Sequence, residues 1–160
     1  MTSRQSRGKG GYVELHACSA FSFLRGASFP EQIAQRAAEL GLPAVALLDR
    51  NGVYGSQRFS VAGREQGVRA IIGSDLTMED GALQPVLVEN RRGYENLCSL
   101  LTEAHLRSEK GSCLVRYAEL EKFSAGLIAL LSEGSALGSA HVSCAGDGVP
   151  PSRTFRGKLR

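Results

Sequence analysis

The stretch LGLPAVALLDRNGVYG, residues 40–55, carries five consecutive apolar residues, Ala44 to Leu48, that stop abruptly at Asp49 and Arg50. A run this short and apolar throughout fits a strand covered on both faces, as in a parallel sheet. Gly41 and Pro43 end the helix expected before it, and Asn51-Gly52 supplies a turn after it. Upstream, Ser28-Phe29-Pro30-Glu31 reads as a helix start, with Ser28 as the cap. The following QIAQRAAEL places Ile33, Ala37 and Leu40 on one face. Further back, YVELHAC (residues 12–18) alternates like a strand. Downstream, a second helix from Tyr54 to Gln66 closes at Gly67, and Val68–Ile72 forms a third strand followed by Gly73-Ser74-Asp75. Strands opening at residues 12, 44 and 68 with helices between them predict repeated βαβ units and an α/β fold.

The remainder continues the pattern. A strand over Pro85–Glu89 follows the turn Glu79-Asp80-Gly81. An amphipathic helix from Tyr94 to Arg107 carries Leu97, Leu100, Leu101 and Ala104 on one side. A short helix is expected over Tyr117–Lys122 and a buried strand over Gly126–Leu131. From Ser135 the chain becomes rich in Gly, Ser and Pro, basic and aperiodic, which predicts a disordered tail over 135–160. The expected organisation is a flexible basic N-terminus (1–11), one domain (12–134) and that tail.

Charge follows the same division. The formal net charge of +3 comes from the two ends, and residues 12–134 hold 12 basic and 15 acidic side chains. A slightly acidic body argues against a broad phosphate-gripping face. No apolar run approaches the roughly 20 residues of a membrane span. The start, MTSRQSRGKGG, lacks the apolar core of a secretory signal. Cys18, Cys98, Cys113 and Cys144 form no closely spaced pair, so free thiols are expected. These features predict a cytoplasmic protein.

Polar residues stand just past the apolar runs: His16 and Cys18 after the first, Asp49 and Arg50 after the second, Asp75 after the third. In parallel sheets and barrels the C-terminal strand ends form one rim, where ligands bind. An imidazole and two carboxylates meeting there suit zinc, manganese or iron. The alternative is structural: a hydrogen-bonded histidine and aspartates that cap the following loops. Phe21 and Phe23 read as core or loop anchors, and His105 as a surface or packing residue.

HACSAFSFLRGAS, then PEQIAQRAAELGLPAVALLDRNGVYG, then VRAIIGSDL, in this order, resembles the PHP domain that opens bacterial DNA polymerase III alpha chains. SFLRGAS, LLDRNGVYG and GYENLCSLLTEAH resemble the error-prone subgroup most. The similarity runs over residues 12–134. It implies a portion of a seven-stranded β/α barrel, the first strands and helices only. By position His16, Asp49 and Asp75 match ligand positions of metal-bearing members, while Cys18 and Arg50 stand where histidines are expected. A permanent cation beside a divalent ion is repulsive. Arg50 is therefore expected to pair with Asp49 or Asp75 and to occupy the missing ion's place, leaving vestigial metal positions and no cofactor. Zinc or manganese would belong to an intact PHP site, and magnesium to the full polymerase.

The resemblance also implies template-directed DNA synthesis in damage-tolerant replication and repair. Its partners would be the rest of the polymerase, other replication or repair proteins, and DNA through the full-length enzyme. The catalytic palm lies beyond this stretch, so a structural, catalytically silent portion is expected, from a truncated gene or a frame that diverges near residue 134. Two other classes stand beside it: a metal-dependent PHP phosphoesterase, and a non-enzymatic interaction module using the basic tail.

Overall fold

In the computed structural model, which describes residues 11–131, the apolar run becomes β2 (Ala44–Arg50), with every residue but Arg50 buried. It lies between β1 (Glu14–Ala17) and β3 (Arg69–Thr77), parallel to both. Helix α1 (Pro30–Glu39) links β1 to β2, and α2 (Ser56–Gln66) links β2 to β3. The α/β reading and its βαβ order therefore stand for the first half of the domain.

The second half turns antiparallel. β4 (Leu83–Val88) pairs antiparallel with β3, and β5 (Leu127–Ala129) antiparallel with β4, giving one sheet in the order β1-β2-β3-β4-β5. The connection between β3 and β4 is only residues 78–82, too short for a parallel crossover. It is closed by Gly81, at φ 84°, whose amide donates to the Met78 carbonyl at 2.9 Å. Helix α3 (Arg91–Arg107) and the short α4 (Tyr117–Lys122) fill the stretch before β5.

Strand alternation divides the side chains. Val45 and Leu47 of β2 pack with Ala34, Ala37, Phe59, Ala62 and Val68 beneath α1 and α2. Leu76, Val86 and Leu127 pack with Leu97, Leu100, Leu101 and Ala104 of α3. The opposite face carries a smaller apolar group around Ala46, Leu48 and Leu87. The helices thus cover one face of the sheet and leave a thinner layer on the other.

Several expected details shift. Phe29, not Ser28, precedes the first turn of α1, and its backbone amide donates to the Gln32 side chain at 2.8 Å. Leu40 follows the last helical turn and is 58% exposed, while Ala34 takes the core position. β5 is shorter than expected, and only Leu127 in it is buried. The expected tail over 135–160, and residues 1–10 of the expected flexible start, lie outside the described residues. Among the described residues no helix is long and apolar enough to cross a membrane.

Candidate functional site

The loop between β1 and α1, residues 18–29, folds back over the C-terminal ends of β1–β3. Successive turns tighten it: the Ser22 amide donates to the Ser19 carbonyl, and the Arg25 and Gly26 amides to the Ser22 carbonyl. Leu24 sits in the left-handed region at φ 61°. Gly26 packs so closely that a Cβ there would stand 2.1 Å from the Ser19 carbonyl oxygen. The loop thereby places Ser19 and Ser22 on one side of the strand ends and Arg25 on the other.

His16 and Asp75 do meet, 59 residues apart in sequence: His16 Nε2 lies 3.0 Å from Asp75 Oδ1. The other carboxylate oxygen of Asp75 lies 3.9 Å from a terminal guanidinium nitrogen of Arg25. The Asp75 side chain is only 10% exposed, whereas His16 and Arg25 are each 42% exposed. Asp75 is therefore a nearly buried carboxylate held by an imidazole and a cation.

Asp49 is not part of that group. It continues the row of Val45 and Leu47 toward the helices, whereas Asp75 pairs in register with Arg50 on the opposite row. Its buried carboxylate accepts the Ser19 amide at 2.8 Å, the Ser19 hydroxyl at 2.9 Å and the Ser22 hydroxyl at 2.8 Å. Ser22 Oγ in turn accepts the Arg50 amide at 3.0 Å. Oδ2 lies close to Gly55, the capping residue of α2, where a Cβ would stand 3.1 Å away. The positive end of that helix favours a carboxylate. Asp49 thus fastens the loop to β2.

Arg50 corrects a second expectation. It forms no ion pair with Asp49 or Asp75; its Nε donates to Thr77 Oγ1 at 3.2 Å. Alternation carries its side chain away from Asp49. Asp75, which does share its row, is met from above by Arg25 instead. Thr77 is also bound to Asn51, whose Nδ2 donates to Thr77 Oγ1 at 2.9 Å and whose Oδ1 accepts the Thr77 amide at 2.7 Å. Asn51 is left-handed at φ 49°, and His105 Nε2 donates to its carbonyl at 2.9 Å.

Cys18 is half-buried beside both aspartates. Burial, reinforced by Asp49 and Asp75 and opposed by Arg25, pushes its thiol up, so it is protonated near neutral pH. The arrangement disfavours a divalent ion: three hydrogen bonds converge on Asp49 Oδ1, and Asp75 lies beside the Arg25 guanidinium. Among the described residues no three of His, Cys, Asp and Glu gather into a group able to hold a metal ion.

Arg25, Ser19, Ser22, Asn51 and Thr77 were not foreseen as site residues. The signal for Ser19, Ser22 and Arg25 was the compact run CSAFSFLRGAS, whose small and hydroxyl residues allow a tight loop over the strand ends; Asn51 and Thr77 meet only through the register of β2 with β3.

A five-stranded sheet, parallel at first and then antiparallel, with polar groups gathered at the C-terminal ends of β1–β3, defines an α/β domain with a rim-type site. The PHP domain family profile matches residues 14–148, and the chain belongs to the PHP domain family. It is 46% identical over 116 residues to the error-prone DNA polymerase of Bordetella parapertussis, covering 69% of this chain and 11% of that protein. It is 43% identical over 119 residues to the error-prone DNA polymerase of Xanthomonas axonopodis pv. citri, covering 74% of this chain and 11% of that protein. The chain thus spans about a ninth of the length of these relatives. Among solved structures, an amidohydrolase from Chromobacterium violaceum with bound SO4 and no metal has a TM-score of 0.50 at 22% identity, over 59% of this chain and 33% of that one. That likeness concerns the fold.

Proposed function

We propose that this chain is the N-terminal PHP portion of an error-prone DNA polymerase of the DNA polymerase III alpha type, and that it acts as a structural support rather than a catalyst. The whole enzyme would add deoxynucleotides to a primer under template direction, in damage-tolerant replication and repair in the cytoplasm. The partners of this portion would be the remainder of the polymerase and, through it, DNA and other replication or repair proteins. Identity of 46% to a protein of that name supports the lineage. The observation that carries the structural role is the engagement of Asp75 by His16 and Arg25. Hydrolysis by a metal-activated water needs several free ligands around an ion. In this reading His16, Asp49 and Asp75 are former ligand positions, now serving loop attachment and charge pairing.

The test is a phosphatase assay with manganese on the purified chain and on His16→Ala. No turnover above buffer in either protein is expected. Turnover in the wild type that His16→Ala abolishes would instead establish a phosphoesterase.

A further inference from the structure

The last strand is held to the sheet less firmly than the others. β3 meets β4 from Gly73 to Thr77, but β5 meets it only from Leu127 to Ala129. Among the described residues β5 stands at the end of the sheet. Leu127 alone in it is buried, and Ile128 is 43% exposed.

The ladder between β4 and β5 also lacks a donor. The Leu130 amide donates to the Pro85 carbonyl at 2.9 Å, and the Glu89 amide to the Gly126 carbonyl at 3.0 Å. Leu87 and Ile128 are opposite each other between these bonds. Antiparallel alternation therefore turns each of their amides toward the other strand, and the Val86 amide toward β3. At Pro85 the return bond is missing, because proline has no N–H. Proline is confined to edges and bulges of sheets for that reason. Gln84 takes over: its Nε2 donates to the Leu130 carbonyl at 3.0 Å and to the Pro85 carbonyl at 3.0 Å. The replacement is incomplete. Gln84 is 1% exposed, and its Oε1 is buried with no hydrogen-bond partner among the described residues. A buried acceptor left dry opposes the closed arrangement, and the opposition ends when water reaches it.

The packing is divided in the same way. Leu127 belongs to the apolar group under α3, whereas Val45 and Leu47 of β2 pack around Phe59 beneath α1 and α2. Departure of β5 uncovers one side of β4 and leaves the group around Phe59 intact.

We propose that β5 is a releasable strap, which detaches as a unit while β1–β4 stay paired. Release wets the Gln84 side chain and opens the β4 edge, and an open edge is a template for another strand.

Hydrogen exchange of the whole chain, followed amide by amide by NMR and corrected for intrinsic rates, tests this. The amides of Leu87, Glu89, Ile128 and Leu130 should exchange as one group, at least about 30-fold faster than those of Val45–Leu48. Val86, next to Leu87 but turned to β3, should stay with the slow group. Phe59→Leu weakens the whole fold and should speed Val45–Leu48 about tenfold, leaving the fast group within about twofold of the wild type. If Phe59→Leu does not fold, Ala37→Gly on α1 takes its place with the same expected pattern. Exchange of Ile128 and Leu130 as slow as that of Val45–Leu48 overturns the proposal. So does Val86 exchanging with Leu87, or a folded variant that speeds both groups alike.

Discussion

Asp49 is the residue on which the loop over the strand ends depends. Its carboxylate is 2% exposed and accepts one amide and two hydroxyls from residues 19 and 22. Asp49→Ala leaves these donors buried without acceptors, so the urea midpoint should fall by the equivalent of about 2–4 kcal/mol. Asp49→Asn keeps one acceptor oxygen and should cost less, because both serine hydroxyls can rotate. Equal losses in the two variants would show that the negative charge, not the acceptor oxygen that Asn retains, is what Asp49 supplies. Cys18 carries a second expectation at this scale. Its thiol is raised above the ordinary value of 9.0 chiefly by burial, then by Asp49. Peptide-resolved mass spectrometry after iodoacetamide treatment at pH 7.5 should find Cys18 modified more slowly than a free cysteine peptide, with the rate rising through pH 9 and above. Fast modification at pH 7.5 would place a thiolate there and reverse the charge balance of the site.

At the scale of elements, α4 has no fully buried residue; Leu120 packs half-buried against the core, and the Lys122–Glu103 and Arg107–Glu119 ion pairs tie it to α3. Arg107, in the last turn of α3, donates to both oxygens of Glu119 at 2.9 and 2.8 Å. Arg107 holds the Glu119 carboxyl below its ordinary 4.5. The folded chain therefore keeps Glu119 ionised where the unfolded chain would already take up a proton. The stabilisation is whole above pH 4.5 and is lost as the pH falls below it toward the folded value. Wild type should exceed Glu119→Gln in urea midpoint at pH 7, by less than about 1 kcal/mol. The gap should narrow as the pH is lowered from 4.5 to 3. A constant gap across that range would remove the ion pair from the account. The elements themselves were readable where periodicity is strong. Leu97, Leu100, Leu101 and Ala104 repeat at helical spacing, and all four are buried on α3. Ala44–Leu48 is too short and too apolar for a surface helix. Reading failed where pairing with a distant element decided the outcome. Gly73-Ser74-Asp75 looks like a strand end, but β4 pairs with these residues and extends β3 to Thr77. Asp75 therefore lies within the strand. Asp49 and Asp75 look equivalent along the chain, yet they stand on opposite faces, because parity depends on register with neighbouring strands. Arg25 was hidden for a related reason: its contact with Asp75 spans 50 residues and depends on the left-handed turn at Leu24.

For the molecule as a whole, the helices shield one face of the sheet, and the polar groups collect at one end of its parallel half. That end does two separate things. Asp49, Ser19 and Ser22 close the loop, and His16 and Arg25 engage the nearly buried carboxylate of Asp75. The arginine beside Asp75 is Arg25 of the loop, not Arg50 as expected. The central claim is that protein groups alone satisfy Asp75. It is tested most directly by elemental analysis of the purified chain after dialysis against metal-free buffer. The account predicts zinc, manganese and iron all far below one ion per chain. One or more tightly retained ions per chain, lost in Asp75→Asn, would contradict it.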